Sequence, residues 1–277
     1  MSLRWDDAQD PPLRIGFAGW CLVVLRLLAM STSLVAGVII KSLMRLVERP
    51  LCGERRPVTP WITRTVCRQC LALMGLRVET RGTPLREAGA MVANHASWLD
   101  IFVLNSVCDL YFVSKAEVAS WPGIGLLARI TGTVFIARRR GAARAQTELF
   151  RKRLAAGHRL LFFPEGTSTD GMRVLTFKTT LFEAFLSPEL REDLHVQPVT
   201  VIYEAPEGQP PRFYGWWGEM EFGPHLLKVL AAPRQGCATV VYHRPVKVSD
   251  FEDRKALARY LEAEVRGAMP PDRQLSA

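Results

Sequence analysis

The sequence predicts an α/β layer fold, a sheet covered by helices, with a membrane-attached helical segment in front of it. Three observations carry this. From about residue 77 onward, short apolar runs alternate with helical stretches, the pattern of sheet strands joined by covering helices. Ahead of them, Ile15 to Ile40 is a run of 26 residues with a single charge, Arg26. The chain as a whole, 277 residues with 48% hydrophobic and 23% charged side chains, is long and apolar enough for a substantial core. That composition excludes disorder, collagen and a disulfide-stapled miniprotein. The expected organisation is a membrane-associated helical segment over 1–75, an α/β domain over 76–269 and a disordered tail over 270–277.

As a helix the first run would extend ~39 Å, against roughly 20 residues needed for a bilayer core of about 30 Å. Arg26 near its middle would cost about 2.5–3.5 kcal/mol there. A helical hairpin dipping into one leaflet avoids that cost by keeping Arg26 at the surface, and a buried soluble helix is the blander reading. Asp6, Asp7 and Asp10 argue against a cleaved signal peptide. Acidic residues precede the run and basic ones follow it, which places the main domain on the cytoplasmic side. Beyond it, strands are expected at Met91–Ala93, Leu110–Val113, Thr133–Ile136, Leu160–Phe163, Val196–Tyr203 and Thr239–Tyr242. Helices are expected at Trp98–Ser106, Ala143–Ala156, Phe177–Leu186, His225–Leu230 and Glu252–Gly267.

The net charge of +9 is concentrated. Residues 41–70 net +5 and residues 129–159 net +8, so the remainder nets −4. Such blocks imply an anionic partner. The aromatic interleaving of a nucleic-acid surface is missing from the second block, so an anionic membrane surface is expected and nucleic acid is not. Cys67-Arg68-Gln69-Cys70 is a CxxC without a second pair or flanking histidines, and it reads as apolar helix filling rather than a metal site.

The chemistry points to four segments. Asn94-His95-Ala96-Ser97-Trp98-Leu99-Asp100 follows a strand and opens a helix, where α/β folds place their sites. A histidine with a nearby carboxylate can take a proton from a hydroxyl, because the carboxylate fixes the tautomer and supports the imidazolium. No GxSxG elbow accompanies it, so the hydroxyl can belong to the substrate. Ser97-x-x-Asp100 is equally a helix capping box, which would explain both residues without catalysis. Phe163-Pro164-Glu165-Gly166-Thr167 ends a strand in a turn carrying a carboxylate and backbone N–H groups. Gly132 to Arg138, with Phe135 and Ile136, is a short strand ending in arginine, suited to gripping phosphate or solvated as part of a charge run. Pro198 lies at the start of a late strand.

Together, in this order and spacing, these segments resemble the glycerolipid acyltransferases of the lysophosphatidate acyltransferase family. The resemblance covers roughly 75–205 and implies a central mixed sheet behind a membrane-embedded N-terminal element. It implies acyl transfer from acyl carrier protein or coenzyme A to a lysolipid hydroxyl, with no metal, cofactor or acyl-enzyme. His95 would be the general base and Asp100 its orienting partner. Arg138, Glu165, Gly166, Thr167 and Ser168 would contact substrate, while Asn94, Ser97, Gly132, Phe135, Pro164 and Pro198 would complete the motifs. One departure matters: many relatives carry arginine where this chain has Ser168. The run from Ser168 to Lys178 resembles bacterial relatives acting on lyso-ornithine lipid. Lysophosphatidate, giving phosphatidic acid, is the acceptor expected here; lyso-ornithine lipid, or both lipids, is the alternative, and a non-catalytic basic membrane-binding module is the alternative of a different class.

Overall fold

The computed structural model describes residues 14–121, 123–136 and 143–275. Helix α1 (Phe17–Cys52) runs 36 residues, or ~54 Å, and α2 (Thr59–Met74) folds back along it. Val23, Met30, Gly37, Lys41 and Glu48 of α1 are buried, a spacing that keeps them on one helical face. Phe17, Val24, Leu28, Val35, Ile39, Leu43 and Leu46 lie exposed on the opposite face. Gly37 permits the close approach of α2, since a Cβ there would meet the Val66 side chain at 2.4 Å. By length and composition α1 is able to cross a membrane.

The sheet follows. Its strands are β1 (Arg77–Arg81), β2 (Gly89–Ala93), β3 (Tyr111–Lys115), β4 (Val134–Ile136), β5 (Arg159–Phe162), β6 (His195–Glu204), β7 (Cys237–Tyr242) and β8 (Val246–Lys247). Their spatial order is β1-β7-β6-β2-β5-β3-β4, with β8 paired to β6. β6 runs antiparallel to β7 and β8, and the other pairings are parallel, so the sheet is mixed. The remaining helices are α3 (Leu99–Val107), α4 (Ile124–Thr131), α5 (Ala143–Ala155), α6 (Phe222–Ala231) and α7 (Arg254–Gly267).

Side chains alternate across the sheet and build two cores. Met91, Ala93, Leu161, Val199 and Val201 face Val23, Met30, Met74 and Val103 from α1, α2 and α3. Ala90, Val92, Leu160 and Phe162 face Phe150, Phe182, Leu257 and Leu261 on the other side. The N-terminal helices therefore cover one face of the sheet rather than standing apart from it. Arg26 is part of that packing: its guanidinium donates to the Leu230 and Ala232 carbonyls at 2.8 and 2.7 Å, satisfying the C-terminal end of α6. At the other end of α6, Phe222 packs edge-on to Trp98 at 5.5 Å, and the Trp98 indole N–H donates to His225 Nδ1 at 3.0 Å.

Several expectations need correction. Thr179–Leu186 is a 3₁₀ helix rather than an α-helix. The segment from residue 270, expected to be disordered, forms a turn at Pro271–Arg273 that buries Arg273, and the Leu275 N–H donates to the Met172 carbonyl at 3.1 Å. Only residues 276–277 of it lie outside the described residues. Strand β1 has no counterpart in the expected list, because Arg77-Val78-Glu79-Thr80-Arg81 is a mostly exposed edge with little apolar signal. Cys67 and Cys70 are buried in α2 as expected, and burial pushes their thiols up to about 12 and about 11, which keeps them inert.

Candidate active site

Strand β2 stops at Ala93, between β6 and β5, and the chain turns away over the carboxyl end of the sheet. Asn94 makes that stop possible. Its side-chain amide pairs with Val201 of β6 in both directions, Nδ2 to the carbonyl at 2.9 Å and the Val201 N–H to Oδ1 at 2.8 Å. The next residue, His95, is held through its backbone. Its N–H donates to Glu165 Oε1 at 2.7 Å, and its carbonyl accepts from Thr169 N–H at 2.9 Å. The Ala96 carbonyl accepts from Trp216 N–H at 2.8 Å.

The imidazole is fixed as firmly. His95 Nδ1 lies 2.6 Å from Asp100 Oδ2, and because a carboxylate only accepts, Nδ1 carries the proton. The ring stacks on Phe163, 4.1 Å between centroids and 13° between planes. Nε2 is left with its lone pair and no hydrogen bond to a described residue, on a side chain 20% exposed. Asp100 is fully buried and accepts four donors. Oδ2 takes the Ala96 and Ser97 N–H groups at 2.9 and 3.1 Å besides His95, and Oδ1 takes the Tyr203 hydroxyl at 2.6 Å. Burial first, then the Asp100 charge, holds the Tyr203 phenol far above its ordinary range, so it remains a donor.

The two readings of Ser97-x-x-Asp100 thus coexist on one side chain. Ser97 Oγ accepts the Leu99 N–H at 3.3 Å and Asp100 accepts the Ser97 N–H, which is helix capping. The oxygen that caps also holds the histidine.

A scan against family models matches residues 77–202 to the family described as Acyltransferase. A lyso-ornithine lipid O-acyltransferase of Rhodobacter capsulatus is 56% identical over 96% of both chains. A 1-acyl-sn-glycerol-3-phosphate acyltransferase of Neisseria meningitidis is 37% identical over 76% of this chain and 81% of its own. The chain belongs to the acyltransferase family. The crystal structure of the 1-acyl-sn-glycerophosphate acyltransferase from Thermotoga maritima superposes with a TM-score of 0.62 at 20% identity, covering 90% of this chain and 94% of the other, which establishes the shared fold.

The other motif residues of this acyltransferase sort by position. Glu165, expected against substrate, is instead 1% exposed, with Oε1 taken by His95 N–H and Oε2 by Leu175 N–H at 2.8 Å. It braces the histidine turn against the loop that follows. Burial pushes its carboxyl up to about 8 against those two N–H groups. Gly166 has a φ of +75°, and a Cβ there would sit 2.7 Å from Lys178 Nζ. Thr167 is exposed and Ser168 half-buried. Pro164 is buried and its carbonyl accepts the Lys178 N–H at 2.9 Å. Pro198, opposite Val92 in the sheet, accepts the His243 N–H at 3.1 Å and is structural. Gly132, with φ +86°, ends α4. Phe135 lies half-buried in β4, beside Ser114 of β3 in the register. Arg138 lies outside the described residues.

Three groups escaped the sequence reading. Tyr203 is one. Lys115, at the end of β3, donates from Nζ to the Gly166 carbonyl at 3.0 Å. Lys178 reaches the same turn. The Lys115 position was detectable as a cation closing an apolar strand; Tyr203 had no local signal. Arg173 is buried against Asp170 with its Nε and Nη2 on the two carboxylate oxygens at 3.2 and 3.1 Å.

Proposed function

We propose that this acyltransferase moves a fatty acyl group from an acyl carrier protein or coenzyme A thioester to the hydroxyl of a lysolipid, with lyso-ornithine lipid the preferred acceptor. The observation that carries the chemistry is the open Nε2 of a histidine whose other nitrogen, ring face and backbone are all held. In this reading Nε2 takes the acceptor's hydroxyl proton as the oxygen attacks the thioester carbonyl. The tetrahedral intermediate then expels the thiolate, and the imidazolium returns the proton to sulfur. Asp100, buried and accepting four donors, supports the imidazolium while it exists. The Thr167 and Ser168 N–H groups have no hydrogen bond to a described residue, and in this reading they serve the oxyanion together with the Lys115 ammonium, which meets the same turn at the Gly166 carbonyl.

Two features support lyso-ornithine lipid ahead of lysophosphatidate, the reverse of the order expected from the sequence alone. The relative that is 56% identical over nearly the whole chain carries that name. Among the described residues, the segment after Gly166 also offers Ser168 and the exposed Lys178 where many relatives have an arginine, since Arg173 is committed to Asp170. A zwitterionic amino-acid head needs one cation and polar neighbours, whereas a phosphate rewards a guanidinium fork. For attachment, the exposed apolar face of α1 suits burial in one leaflet on the cytoplasmic side, with the helix held along the domain rather than crossing alone, and the basic blocks facing anionic lipid.

Membranes carrying the protein, given a labelled acyl donor and each lysolipid in turn, test this. The expected result is a kcat/KM for lyso-ornithine lipid above that for lysophosphatidate. The opposite ratio restores lysophosphatidate, and transfer to neither removes the proposal.

A further inference from the structure

At the opposite end of the sheet, where its parallel strands begin, lies an open cavity of about 720 Å3. Tyr111 and Arg159, which line it, begin β3 and β5, whereas Lys115 and Phe162 end them near His95. Four residues of strand separate the two ends, about 13 Å. Leu51, Arg55, Arg56 and His158 complete the walls that matter here, so the cavity opens beside the last turn of α1.

Its charge is unbalanced. Arg56 and Arg153 both stack on the ring of Tyr111, with guanidinium carbons 5.5 and 4.7 Å from its centroid. Arg153 is only 7% exposed and donates to the Gly132 carbonyl, yet its Nε is buried without a partner. Arg56 makes no hydrogen bond to a described residue, and its Nε too is buried and unpartnered. His158, 4% exposed, donates from Nε2 to the Glu54 carbonyl at 3.0 Å and leaves Nδ1 buried and unpartnered. The lining carboxylate, Asp109, is occupied by the fork of Arg64; Glu54 lies 3.7 Å from Lys152 and offsets part of the charge of Arg56 and Arg153, and Glu48, which also faces Arg56, is taken up by Val58 and Thr59. Burial, followed by the charges of Arg153 and Arg56, holds His158 down to about 4. Two guanidiniums side by side in a partly desolvated site, with donors left over, cost free energy unless an anion joins them.

We infer that this cavity is a phosphate-group site, distinct from the reaction centre and held by Arg55 and Arg56 of its lining, with the buried Arg153 adding positive charge behind the Tyr111 ring. The planar forks of arginine suit the oxygens of a phosphate monoester or diester. Two sources share that chemistry: an anionic phospholipid headgroup, whose chains would lie along exposed Leu51, and free phosphate. The inference stands on the cavity alone and is independent of which acyl acceptor the enzyme uses.

The test is a melting titration of the full chain in non-ionic detergent. The probes are inorganic phosphate and dihexanoyl phosphatidylglycerol, each against chloride at matched ionic strength. Wild type should show a saturable rise in Tm with at least one probe. A rise with both means that a bare phosphate suffices, and a rise with the lipid alone means that the headgroup is read with its chains. Arg56→Gln should raise the midpoint at least tenfold, the equivalent of ~1.4 kcal/mol, and Arg56→Lys should fall between. If Arg56→Gln does not fold, Arg55→Gln at the exposed rim serves instead, with a severalfold weaker midpoint expected. A chloride-like response to both probes in wild type, or an unchanged midpoint in the folded variants, overturns the inference.

Discussion

The two ends of the sheet hold buried charge in opposite ways. At the carboxyl end, one carboxylate, Asp100, collects His95, two backbone N–H groups and a tyrosine hydroxyl, and each of its oxygens is used. At the amino end, Arg56 and Arg153 share a tyrosine face and leave donors unanswered. A charge fully hydrogen-bonded within the protein is preorganised: nothing has to move when a partner's charge changes during reaction. A charge left short of partners is instead completed by something from outside. In the proposed reading the first arrangement serves a step of chemistry and the second serves binding.

The sharpest way to break the first half of this contrast is His95→Ala. It should lower acyl transfer by about 10²–10⁴-fold while circular dichroism and melting stay near wild type, since the ring is partly exposed. Turnover near that of wild type would remove the general base.

Glu165→Gln probes the brace through pH. The folded carboxyl, at about 8, lies above its ordinary 4.5, so between those values the folded chain holds more protons than the unfolded one. Stability supplied by the protonated group is complete below about pH 4.5 and is lost as pH rises toward 8, amounting to a few kcal/mol. Denaturant midpoints measured across that window should fall in wild type, and this component of the slope should be absent from the variant. Parallel curves would show that Glu165 titrates normally.

Tyr203→Phe removes one donor from a buried carboxylate while keeping the ring. Hydrogen bonds to charged groups are worth about 1.5–3 kcal/mol, so kcat should fall roughly ten- to a hundredfold with KM little changed. An equal loss in both parameters, or none in kcat, would show that Tyr203 does not position Asp100 for the reaction. The smallest effect belongs to the other end. In anion-free buffer Arg56→Gln should leave the unfolding free energy equal to that of wild type or about 1 kcal/mol above it, because it removes a guanidinium left short of hydrogen-bond partners. A loss of about 3 kcal/mol or more in a urea titration would instead make Arg56 half of a buried pair.

What could be read in the sequence was whatever is local. The strands β2, β5 and β6 announced themselves as short apolar runs between helical stretches, and His95 and Asp100 through a five-residue spacing at a strand-to-helix turn. Groups supplied from afar were invisible. Tyr203 reaches Asp100 across 103 residues, and Glu165 reaches the His95 backbone across 70. Glu165 was recognised as a motif member, but its role as a brace depends on burial that no spacing encodes. Arg26 looked like a cost inside an apolar run, and its partners lie 204 and 206 residues away. Helix α4, eight residues that include Gly125, is too short for a periodic signal.

Those same Arg26 bonds make α6 a strut. It is ten residues, ~15 Å, with one end fastened to α1 by a guanidinium and the other pressed on Trp98, three positions after the histidine. A rod of that kind transmits push and pull along its axis. The packing of α1 is thereby linked, through one short helix, to the turn that carries His95.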